Sequence, residues 1–160
     1  MTQLSLVSFQ PLSRVAQLHR EGVLRGDWAH VPGGWDRAYR LMSARMTALG
    51  IECDGRPPMW AFPGRRTWGD AFGLLGEHDL EIGYAALTFT APTELVLLTD
   101  YDEWCDALRS GRWAGDTIPL SRAAERGLQA TLPRIELEWA SHVTRLPRHG
   151  IFDLDWDTPI

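Results

Sequence analysis

The stretch Leu95–Leu108 constrains this chain more than any other. It reads Leu-Val-Leu-Leu-Thr-Asp-Tyr-Asp-Glu-Trp-Cys-Asp-Ala-Leu, and its period changes in the middle. Leu95–Leu98 is an unbroken apolar run of strand length, which suits a strand covered on both faces. Asp100 then stands where a helix N-cap stands, with Glu103 three residues on, the Asp-x-x-Glu form of a capping box. Asp102 and Glu103 put negative charge at the positive end of that helix. Trp104 and Leu108 share one face, and Ser110-Gly111 supply the stop. A buried strand that feeds a capped helix is expected in mid-sheet, anchoring a half-covered hollow ringed by indoles. Its last residue, Asp100, then lies at a strand end, where sites of open α/β sheets form. Asp100 is therefore both a cap and a candidate catalytic residue.

The rest of the chain can be hung on that run. Leu4–Phe9 alternates as a first strand, and Pro11 suits the first turn of a helix that carries Leu12, Val15 and Leu18 and stops at Gly22. Trp35–Leu49 is the clearest helix: Trp35, Ala38, Tyr39, Met42, Met46 and Leu49 recur at helical spacing before Gly50. Met59–Phe62 is a short strand between prolines, and Pro63–Asp79 reads as a long glycine-rich loop. Leu80–Thr90 reads as a long strand bulged near Gly83, turning at Ala91–Thr93 into the Leu95 run as an antiparallel neighbour. Beyond it, Ser121 is placed to cap a helix to Thr131, and Ile135, Trp139, Val143 and Leu146 keep helical spacing to Pro147. The sum is a single α+β domain, with a mixed, mostly antiparallel sheet and helices packed on it.

Composition removes several functions. At 160 residues the chain suits one domain with a real core. It has no lysine, which excludes Schiff-base lysine chemistry and a Walker-A phosphate lysine. Residues 1–66 hold nine arginines against five acids, and residues 67–160 seven against sixteen. A net charge of −5 argues against nucleic acid as a partner, while the basic half suits a small anion such as a diphosphate. Cys53 and Cys105 stand far apart, with neither disulfide-framework nor zinc spacing. Cys53, between Glu52 and Asp54, is expected to have a raised pKa, and Cys105 to sit in the core. Asp153, Asp155 and Asp157 alternate like the start of a calcium loop, but the later Gly and Glu are missing, so no metal site is assigned. There is no signal-peptide pattern and no membrane-spanning run, so the expected location is the cytoplasm and no membrane partner is expected. No nucleotide-loop, serine-hydrolase or zinc-protease motif is present.

Eight tryptophans are the most unusual count, and aromatic rings in loops can stack a flat ligand. Two loops carry the mix that a small-molecule or nucleotide site needs. One holds Arg25, Asp27, Trp28 and His30; the other holds Arg65, Arg66 and Trp68. Of these, Arg25, Asp27, Arg65, Arg66 and Trp68 join Gln10, Tyr39, Trp60 and Trp104 as the candidate ligand-binding set.

Several segments, taken in order, resemble a bacterial family known as domain of unknown function 3841. They are Ser8-Phe9-Gln10-Pro11 with Glu21-Gly22-Val23, Ala38-Tyr39-Arg40-Leu41-Met42, Met59-Trp60-Ala61-Phe62, the run Val96–Trp104, and Ile151-Phe152-Asp153-Leu154-Asp155-Trp156. The opening layout also looks somewhat like ADP-ribosyltransferase-type folds. That resemblance implies a NAD- or nucleotide-binding enzyme with NAD as cofactor. In it Gln10 and Arg25 hold the diphosphate or ribose, Trp60 or Trp68 stacks on the nicotinamide, and Glu94 stabilises oxocarbenium charge. The alternatives are a small-molecule enzyme of another class and a non-catalytic interaction or regulatory module, self-associating or holding a protein partner. Family members continue past residue 156 into a further strand, so an open sheet edge is expected here.

Overall fold

The computed structural model describes residues 2–160. The strands are β1 (Gln3–Pro11), β2 (Val23–Arg25), β3 (Met59–Pro63), β4 (Tyr84–Pro92), β5 (Leu97–Asp100), β6 (Leu128–Leu132), β7 (Arg134–Glu136) and β8 (Ala140–Arg145). The helices are α1 (Leu12–Glu21), α2 (Asp36–Ala48), α3 (Trp68–Leu74), α4 (Glu77–Ile82) and α5 (Tyr101–Ser110). Six strands form one sheet in the order β5-β6-β3-β1-β4-β8, and β2 pairs with β7 in a separate ribbon. Every pairing is antiparallel. The domain is α+β, as expected.

The Leu95 run forms β5 and α5, with Asp100 between them accepting a hydrogen bond from the Glu103 N–H at 2.9 Å. Gly111 closes the helix in a left-handed conformation at φ 65°. One expectation fails: β5 is the edge strand, not a central one, and its neighbour is β6 rather than β4. It is buried nonetheless, because the Ile118 N–H donates to the Leu98 carbonyl at 2.9 Å and the chain there covers the outer edge. An apolar run reports burial; it does not report position in the strand order.

Only residues 93–96 connect β4 to β5, the fifth and first strands of the order. Four strand spacings of about 4.8 Å come to about 19 Å. That is roughly the full reach of such a connection when extended, and here it is a tight turn. The sheet must therefore coil so that its two ends approach. Strand alternation sorts the side chains. Leu4, Leu6, Leu87, Phe89, Leu98 and Leu132 face the main core, which Leu18 of α1 and Leu24 and Ile135 of the ribbon complete. On the other face, α2 and α5 bury Leu97 beneath Met42, Met46 and Trp104. Farther along that face, α3 and α4 bury Val7 and Ala86 beneath Phe72 and Leu80.

Three other segments differ from expectation. Residues 121–146 hold β6, β7 and β8 with short 3-10 turns before and between them, not α-helices. Ile135, Trp139 and Val143 keep helical spacing by coincidence, each belonging to a different short element. The apparent register switch before β4 is a helix-to-strand junction: α4 ends at Ile82, and Gly83 turns the chain at φ 108°. The long loop is mostly helical. Thr67 and Asp70 form a reciprocal capping box at the start of α3, with the Thr67 N–H reaching Asp70 Oδ2 at 2.7 Å.

Candidate functional site

The two groups of helices cover the two ends of the same sheet face, and the middle stays uncovered. Phe9 of β1 and Trp60 and Phe62 of β3 are half-buried there. The gap is a cavity of about 760 Å³, within the range of small-molecule sites. Its inner side is aromatic. Phe62 lies 6.0 Å from Phe9 and 6.0 Å from Tyr101, centroid to centroid. Trp60 packs on Trp104 at 4.6 Å, and Tyr39 sets its edge against both, at 5.5 and 5.8 Å. This cluster is fixed by packing, so the rings are in place before any ligand arrives.

The outer side is polar. Ser13, Arg14, Gln17 and Arg20 come from α1, while Asp27, His30 and Trp35 come from the loop after β2. Arg14 is clamped, donating to Gln17 Oε1 at 2.6 Å and to the Arg25 carbonyl. Burial lowers its pKa from the usual guanidinium range while Asp27 opposes the change, and an arginine so placed stays charged at neutral pH. Burial, aided by the Cys105 thiol, pushes the Tyr101 hydroxyl up to about 12, so it is a neutral phenol at neutral pH. Burial also raises Tyr39, against an opposing pull from the Trp60 indole N–H. That N–H is itself buried and has no hydrogen-bond partner of good geometry.

Five of the candidate ligand-binding residues converge on this cavity, Gln10, Asp27, Tyr39, Trp60 and Trp104, and His30 from the same loop as Asp27 joins them. The others lie outside it. Arg25 pairs with Asp54 at 3.7 Å. Arg65 is exposed, and Arg66 lies over the Phe62 ring and donates to the Pro63 carbonyl at 2.7 Å. Trp68 opens α3 and packs on Phe72. Glu94 is exposed on the turn between β4 and β5, and Asp100 caps α5. The loop carrying Arg65 and Arg66 is held by the chain end: the Trp68 N–H donates to the Thr158 carbonyl and the Ile160 N–H to that of Arg66.

Sequence reasoning passed over Phe9, Phe62 and Tyr101 as sheet or helix residues, and Gln129 and Cys105 altogether as site residues. The alternation of β1 and β3 is the signal that points Phe9 and Phe62 to one face. Cys105 was expected in the core and instead lines the cavity, half-buried. Cys53 is 4% exposed, and burial first, then Glu52 and Asp54, pushes its thiol up to about 11. One thiol should therefore react with iodoacetamide in the native protein at pH 8, with the second reacting only after denaturation. Mapping the modified peptide by mass should place the first adduct on Cys105, and equal labelling of both would contradict this placement.

No family model, curated protein or solved structure matches the chain. The site must therefore be read from its own chemistry. Among the described residues, no three His, Cys, Asp or Glu side chains gather as metal ligands, and no helix is long and apolar enough to cross a membrane.

Proposed function

We propose that the cavity binds a small molecule of nucleotide class: a flat heteroaromatic ring joined to an anionic group. One observation carries this reading, the pairing in a single 760 Å³ cavity of a preformed aromatic wall with Arg14 and Arg20 at its polar mouth. Rings favour a flat ligand, and guanidinium groups favour phosphate or carboxylate. NAD is the first ligand to try, in keeping with the resemblance to ADP-ribosyltransferase-like folds and to domain of unknown function 3841. If the domain transfers ADP-ribose, the carboxylate lining the cavity is Asp27, whereas Glu94 and Asp100 stand outside it. Calorimetry with NAD, AMP and nicotinamide mononucleotide, alongside an assay of NAD consumption, tests both levels. Heat without consumption supports a binding domain, heat with consumption an enzyme, and no heat with any of the three refutes the proposal.

A second reading, an interaction module, has its own support. Among the described residues no further strand pairs with β8, whose Ser141, His142 and Val143 are exposed. Light scattering that finds only monomers, with no co-purifying protein, would count against it.

A further inference from the structure

We propose that Gln129 selects the ligand's ring by accepting a hydrogen bond from an N–H on its edge. This rests on the reading of the cavity as a nucleotide-class site. Gln129 lies on β6, whose every residue is buried. Alternation sends Ala130 and Leu132 into the main core and turns Gln129 and Thr131 to the opposite face. A glutamine at 1% exposure is uncommon and needs partners for both ends of its amide. One end is satisfied. Its Nε2 donates to Thr99 Oγ1 at 3.0 Å, and Thr99 is its partner across the β5–β6 pair.

That bond turns the carboxamide oxygen away from Thr99. No N–H or O–H among the described residues donates to it, and Gln129 lines the cavity. The oxygen is not sealed from the cavity, so a ligand N–H can reach it and bond it in place of solvent. The neighbouring geometry suits a flat ring. Ala61 pairs with Ala130, so the next residues along, Phe62 and Gln129, are neighbours across the β3–β6 pair. A ring laid against Phe62 and Tyr101 therefore brings its edge to the free oxygen. The class this selects is a heteroaromatic bearing an exocyclic amine or a carboxamide, tethered to the anion that Arg14 and Arg20 face.

Matched ligand pairs test this by calorimetry on the full chain. The first pair is AMP and purine riboside monophosphate, which lacks only the amine. The second is nicotinamide mononucleotide and its pyridine counterpart without the carboxamide. The wild type should prefer the N–H-bearing member of a pair about tenfold. Gln129→Met, close in volume, should abolish that preference by weakening the N–H-bearing member alone. Equal affinity within every pair that binds overturns the role of Gln129 while leaving the cavity reading intact, as does a preference that survives in Gln129→Met. If no nucleotide binds the wild type, both readings fall. Equal affinity in the wild type overturns the role of Gln129 even if the variant does not fold.

Discussion

Trp104→Ala lowers the unfolding free energy by about 3–5 kcal/mol, the range for deleting a large aromatic from a packed core. Trp104 is 3% exposed on the inner face of α5, and its ring meets those of Tyr39, Trp60 and Trp113. It also joins α5 to α2 over Leu97, so the void would fall where two helices and a sheet edge meet. At about 2–4 °C per kcal/mol for a domain of this size, the midpoint of thermal unfolding should drop by about 6–20 °C. Trp35→Ala is the matched control. Trp35 is 39% exposed at the cavity rim and makes no side-chain cap for α2, so its loss should cost under about 1 kcal/mol. Circular dichroism melts of the two variants read the difference directly. A shift of only a degree or two for Trp104→Ala would mean that this cluster does not hold the helices to the sheet.

The same cluster shows what hydropathy can and cannot reveal. Tyr39 and Trp104 were legible because each sits on a helix whose start, stop and apolar stripe are written locally, and local signals survive folding. Trp60 was legible as a strand residue between prolines. The arrangement that brings these three together depends on strand order, which no local pattern encodes. The same reason put β5 in mid-sheet: burial of Val96–Leu98 comes partly from the distant segment at Ile118. In residues 121–146 the local signals misled. Leu128-Gln-Ala-Thr-Leu132 is built of residues with modest strand preference, and only tertiary pairing with β3 and β5 makes it a strand. Gln129 was hidden by that misreading, since a glutamine on a solvated helix face attracts no notice. The loop signal at residues 63–79 was countered by a pattern that was available, Thr67-x-x-Asp70, the same cap logic that identified Asp100.

Gly26→Ala tests the mouth of the cavity. Gly26 is buried and does not use a left-handed conformation, so alanine suits its backbone and the obstacle is purely steric. A Cβ there would lie 1.9 Å from the Pro57 carbonyl oxygen and 2.8 Å from its carbon. Both are main-chain atoms, and no side-chain rotation can relieve the clash. The loop after β2 and the Pro57-Pro58 segment must therefore separate, although two bonds bind them: Trp28 Nε1 to the Gly55 carbonyl at 2.8 Å and Arg56 Nη1 to the Gly26 carbonyl at 3.3 Å. Overpacking of this kind costs about 2–3 kcal/mol, or roughly 5–10 °C in the unfolding midpoint. Gly26, Pro57 and Pro58 all line the cavity, so the same displacement should weaken any ligand that calorimetry detects in the wild type. Gly33→Ala supplies the comparison within the same loop. A Cβ at Gly33 meets nothing within 4 Å, so the change should be within about 0.5 kcal/mol of neutral. If the two variants melt together, the close approach of Gly26 to Pro57 does not exist in solution. The cavity wall that carries Asp27 and His30 would then be loose rather than built.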